Sequence, residues 1–145
     1  MLLKKLRRLS GRVENSYYNG GDNMKVYCVY EESGNYCEES YVTLEGVYSN
    51  KSAAIDHAEN SIKRYKKSTI KELTENIRIF GTEDSDIHGR LYVDCLERAK
   101  NFACDSEALL DHRVDISDIC GEHFDYSYIW IEEREVYDEF ISEDN

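Results

Sequence analysis

The side chains best equipped for bond chemistry are Cys120 and His123, with the carboxylates of Asp115, Asp118, Glu122 and Asp125 around them. A thiolate beside an imidazole is the arrangement of a nucleophile and its base. An interval of three residues in a turn-like stretch does not by itself hold the two in line. The carboxylates have the oxygen chemistry for Mg²⁺ or Ca²⁺. The string D-I-S-D-I-C-G-E, however, lacks the alternating oxygen positions of an EF-hand loop and reads as a solvated acidic loop. Cys95, Cys104 and His112 do not fall at metal-ligand spacing. Cys28 and Cys37 fall on adjacent strands of an expected hairpin, on the same face, where buried free thiols are the simplest reading. His57 lies beside an apolar helical stripe and reads as a surface residue. There is no glycine-rich phosphate loop, so no catalytic residue, metal site or cofactor is expected. A small enzyme or nucleotide-binding module built on residues 105–125 is the second reading.

Recognition chemistry is better represented. Tyr126, Tyr128, Trp130 and Tyr137 stand among Glu132, Glu133, Glu135, Asp138 and Glu139. Tyrosine gives contact area and a hydrogen bond at low entropic cost. These nine residues form an expected partner-binding strip, with ordinary strand burial as its competitor. Lys63, Arg64, Lys66, Lys67 and Lys71 are the one basic cluster of the main domain. Without interleaved aromatics beyond Tyr65 they read as a solvated helix face or a contact to another copy's acidic tail.

The charge pattern points the same way. The formal charge is −12, and Ala103 to Asn145 alone holds 14 acids against Arg113 and Arg134. Such a field repels phosphate backbones and attracts basic surfaces. Direct nucleic-acid binding is therefore not expected. No apolar run is long enough to span a bilayer, and the five cysteines without a C-x-x-C motif or secretory signal suit a reducing cytoplasm.

The elements that position these residues follow from periodicity. Residues 1–23 form a basic extension with Leu2, Leu3, Leu6 and Leu9 at amphipathic spacing. Gly20-Gly21-Asp22-Asn23-Met24 reads back through the genetic code as a ribosome-binding sequence ahead of an ATG, which predicts a natural start at Met24. Residues 24–145 are expected to form one domain. Lys25 to Glu31 and Tyr36 to Tyr48 predict a hairpin, with Val26, Cys28 and Tyr30 on one face and Tyr27 and Val29 on the other. Both faces are apolar and need covering. Ser49 or Asn50 caps a helix whose stripe is Ile55, Ala58, Ile62 and Tyr65. Ile70, Leu73, Ile77 and Phe80 continue it after a phase slip at Ser68-Thr69, predicting a kinked helix or two helices that Gly81 closes. A further helix is expected over 86–103, and Tyr126 to Val136 alternates as a third strand. The fold class is α+β: a small three-stranded antiparallel sheet, hairpin plus C-terminal strand, packed with a helix and a helical region.

Gly46-Val47-Tyr48-Ser49, followed by Ala53, Ala54 and a helix, resembles a group of small phage and bacterial proteins. Their pattern is a β-hairpin ending in G-V-[YF]-S-[ST], an Ala- and Glu-rich helix and a final acidic strand, here W-I-E-E-R-E-V-Y-D. Residues 66–124 depart from it as a helical insertion. The resemblance implies a fold and a phage or mobile-element setting, with no reaction to carry over. The expected function is therefore a non-enzymatic interaction protein: an acidic inhibitor that mimics nucleic acid toward a basic host protein, of an anti-defence or anti-CRISPR type. Segments of opposite charge make a homo-oligomer a further expectation.

Overall fold

The computed structural model describes residues 24–35, 40–86, 89–119 and 126–136. Strand β1 (Met24–Gly34) is the Val- and Tyr-rich run, and it pairs antiparallel with β2 (Tyr41–Tyr48) as the hairpin reading requires. The C-terminal strand β4 (Tyr126–Val136) pairs antiparallel along the whole of β1, Met24 opposite Val136 and Gly34 opposite Tyr126. A two-residue strand, β3 (Val114–Asp115), adds to the other side of β4. The sheet therefore has four strands in the order β2-β1-β4-β3 rather than three. Two residues opposite Ile129 and Tyr128 carry too little alternation to read as a strand from sequence.

Asn50 ends the hairpin in extended conformation and accepts the Ala53 N–H at 2.8 Å, starting helix α1 (Lys51–Phe80). The helix runs its 30 residues as one element, past Ser68-Thr69 and past residue 66. Thr69 shows why the phase slip does not split it. Its side chain is buried, and the hydroxyl donates to the Ile119 carbonyl in a 3₁₀ turn (Ser117–Ile119), so a polar residue in the buried stripe is satisfied by tertiary structure. Only small residues of α1 are fully buried, Ala54, Ala58, Ser61 and Thr69. Gly81, at φ 94°, closes the helix by donating its N–H to the Ile77 carbonyl. Helix α2 (Tyr92–Asn101) is shorter than the span 86–103, and α3 (Ala108–Asp111) is a single turn.

The main core lies between one sheet face and the helices. Val29, Ile129 and Ile131 meet Ala54, Ala58, Ala99, Leu109, Ile116 and Ile119 there. A second cluster, Met24, Val26, Cys28, Val47 and Val136, is buried on the opposite face, so β1 carries buried apolar residues on both faces, as its pattern predicts. Among the described residues no helix is long and apolar enough to cross a membrane.

Candidate functional site

Strand alternation divides the expected recognition strip between two faces. Tyr126, Tyr128, Trp130 and Glu132 stand on the face opposite the helices, with Tyr30 stacked on Trp130 at 5.5 Å between ring centroids. Arg113 lies over Tyr128 at 4.8 Å and over Trp130 at 5.7 Å, and it is ion-paired with Glu32. Arg134 lies over Tyr30 and holds Glu132 at 2.7 Å. The result is a ladder of arginine and aromatic side chains in which the acid is neutralised. Glu133 projects to the helix-bearing face, where it accepts from the Tyr27 hydroxyl at 3.0 Å and pairs with Lys25 at 3.8 Å. Glu135 lies opposite Lys25 in register on that same side. Tyr137, Asp138 and Glu139 lie outside the described residues. Consecutive glutamates in a strand cannot share a face, so the described part of the strip is divided between the two sides of the sheet.

Unpaired acid is found elsewhere, at the far end of α1. Ile79 and Phe80 are 55% and 57% exposed and Leu91 38%, with Phe80 leaning on Tyr92 at 6.4 Å. Phe80 follows the apolar periodicity of the helix yet faces solvent, because the stripe outruns the sheet it packs on. Glu83 and Asp84 follow this apolar tip in the chain and Asp94 lies in the first turn of α2; all three are exposed, and none of them forms an ion pair among the described residues. The nearby bases are already engaged, Arg78 with Glu75 and Arg90 with the buried Asp86.

A third arrangement was not anticipated from sequence. The β1–β2 register shifts between Val29 and Tyr30, leaving Glu45 as the extra residue of a bulge. Its carboxyl comes beside Glu31 of β1, whose Oε2 accepts from the Tyr65 hydroxyl at 3.0 Å. Burial, and then the neighbouring Glu45, push the Glu31 carboxyl up to about 7, against the opposing pull of Tyr65 and Arg64. Glu31 is thus half protonated near neutral pH, where it can give or take a proton. Next along α1, His57 is half-buried rather than a surface residue, and its Nδ1 is hydrogen-bonded to the Tyr48 hydroxyl at 2.5 Å. Burial lowers its pKa below the usual imidazole value, Glu45 opposing and Arg64 assisting.

The G-V-Y-S junction acquires a physical reason here. A Cβ on Gly46 would stand 2.9 Å from a Tyr48 ring carbon and 3.0 Å from His57 Nδ1. We expect Gly46→Ala to cost about 1 kcal/mol by prising that pair apart. Urea unfolding measures the cost, and an NMR titration of His57 should show its pKa moving back toward the ordinary value.

The region of the second reading is engaged locally. Asp115 accepts from the Ser117 N–H and hydroxyl, and Asp118 pairs with Arg98 at 3.9 Å. Cys120, Glu122, His123 and Asp125 lie outside the described residues, as does Cys37. Cys28 is a buried free thiol, its pKa raised by that burial, which makes it a poor nucleophile. Among the described residues no three Cys, His, Asp or Glu side chains converge on a metal position. Of the basic cluster, Lys66 donates to the Phe102 carbonyl at 2.9 Å and ties α1 to the loop after α2, while Lys63, Lys67 and Lys71 are exposed. No protein-family model, curated protein or solved structure matches the chain.

Proposed function

We propose that this is a non-enzymatic interaction protein that docks on a basic surface of a host protein and inhibits it, the apolar tip of α1 serving as anchor and the carboxylates around it as rim. The observation that carries this reading is the exposure of Ile79 and Phe80 directly before the exposed Glu83 and Asp84, which form no ion pair among the described residues. Apolar anchors inside a charged rim are the usual anatomy of a binding hot spot. The −12 charge supports the sign of the partner, and the resemblance of the hairpin-to-helix junction to phage and bacterial proteins supports a phage or mobile-element setting. A nucleic-acid-handling defence protein has the required basic face, and carboxylates stand in for phosphates toward it.

The test is quantitative capture from host lysate by the wild-type chain and by Phe80→Asp. The wild type should retain a basic protein at about 0.05 M salt and lose most of it at about 0.5 M, as screening predicts. The variant loses the anchor and adds one negative charge, which by itself favours a basic partner, so a fall in retention of about tenfold or more reports the anchor. Equal retention by the two would remove the tip from the binding surface. Retention of no partner at low salt would count against the interaction reading as a whole.

A further inference from the structure

The hairpin, α1 and β4 border a partly enclosed recess of about 230 Å³. Among the described residues, Ser127 Oγ is buried without a hydrogen-bond partner and the buried Glu31 Oε1 has only the neighbouring Glu45 carboxyl to share a proton with; both residues line that recess. Ser127 is only 3% exposed, and its position between Tyr126 and Tyr128 puts its side chain on the face that carries Glu31 and Thr43. Buried polar groups are paired almost everywhere in folded proteins, so an orphan hydroxyl beside a pair of crowded carboxyl groups points to a partner from outside the polypeptide. The recess also gathers carboxyl groups. Glu31 and Glu45 lie side by side, with Tyr65 and Tyr128 among the other walls.

We infer that this recess binds a primary alkylammonium group, its N–H donors meeting Glu31 Oε1, the Glu45 carboxylate and Ser127 Oγ. Three features select this ligand. The second oxygen of Glu31 is occupied by the Tyr65 hydroxyl, so the two-point grip that a guanidinium needs on one carboxylate is not on offer, whereas a compact cation with three rotatable donors fits separate acceptors. Fewer than three metal-ligating side chains converge among the described residues, which disfavours a bare metal ion. The Tyr65 side chain in the wall offers apolar surface to an alkyl stem. The space matches a ligand of a few heavy atoms, below the ~300 Å³ of a drug-sized site. Such an ammonium group comes either from a free polyamine or from a lysine side chain of another protein. The inference stands apart from the docking role of the α1 tip.

Binding must displace the proton that Glu31 holds below neutrality. The groups facing Glu31 are Glu45 from β2 and Arg64 and Tyr65 from α1. Ser127 on β4 does not titrate, and the adjacent Glu32 is engaged by Arg113. Titration calorimetry on the full chain, with n-butylammonium, putrescine, Nα-acetyl-lysine methylamide and tetramethylammonium, tests this directly. The primary amines should bind, with affinity falling about tenfold per pH unit below about pH 7, and tetramethylammonium, which has no N–H donor, should not. Glu31→Gln should bind at least about tenfold more weakly, with no pH dependence. If that variant does not fold, proton release by the wild type decides alone, since heats in buffers of different ionisation enthalpy report about half a proton per amine bound near pH 7. Tighter binding of putrescine assigns a free polyamine, and tighter binding of the lysine derivative assigns a protein lysine. No binding of any primary amine, equal binding of tetramethylammonium, or affinity independent of pH would overturn the inference.

Discussion

Replacing Ile129 with alanine is expected to lower the unfolding free energy by about 2–5 kcal/mol. Ile129 is fully buried at the middle of β4, opposite Glu31 on β1 and Val114 on β3. It belongs to the cluster formed with Ala58, Leu109, Ile116 and Ile119. Truncation removes apolar area from the core and leaves a cavity that two flanking strands and a helix, each fixed by its own ladder or turns, cannot close. A domain of this size is stable by about 5–15 kcal/mol in all, so the loss is a large fraction of the total. Chemical denaturation measures it as a drop in midpoint with little change in slope. A cost under about 1 kcal/mol would mean that this site collapses freely and that β4 is not the centre of the core.

The second large effect develops only as pH rises. Glu31→Gln should leave stability unchanged below about pH 4.5 and raise it by about 2 kcal/mol above about pH 7, a figure already reduced for partial solvent exposure of the carboxyl. Below the ordinary carboxylate value both folded and unfolded chains hold the proton. Between 4.5 and about 7 the folded state alone holds it, so each rise in pH favours unfolding. Above that range the folded protein carries an ionised Glu31 beside Glu45, with Oε1 buried and unpartnered. Glutamine keeps a carbonyl for the Tyr65 hydroxyl and has no charge to accommodate. Thermal melts of both proteins at pH 4, 6 and 8 test this. A variant that melts lower than the wild type at pH 8 would show that the ionised carboxylate stabilises the fold, and would place Arg64 and Tyr65 above burial and Glu45 in their effect on Glu31.

These two expectations rest on different kinds of legibility. Ile129 was readable as core, since Tyr126 to Val136 alternates cleanly and the structure buries Ser127, Ile129 and Ile131 on one face. The Asn50 cap and the Gly81 stop were equally legible, because each satisfies backbone groups within a few residues of itself. The acid pair of Glu31 and Glu45 was not. They stand fourteen positions apart, and their meeting depends on the bulge at Glu45 and on how β2 comes to lie beside β1. The isolated Gly46 in a strand was the available signal, since glycine there marks a bulge or a close approach, and both are present. Along the expected recognition strip, Glu132 and Glu133 are neighbours in sequence, and the two-residue period of a strand sends them to opposite faces of the sheet.

By itself the sequence determined the hairpin, the capped helix, the final strand, the α+β class and the excess of negative charge. All of these follow from periods and end signals that span a few residues, where local sterics and hydrogen bonding leave few choices. Tertiary structure decided the fourth strand, the unbroken course of α1 through Thr69, the exposure of Phe80 and the meeting of Glu31 with Glu45, Tyr65 and Ser127. Each depends on which distant segment comes to lie alongside. That is set by packing across the whole core, and no short window of residues contains it.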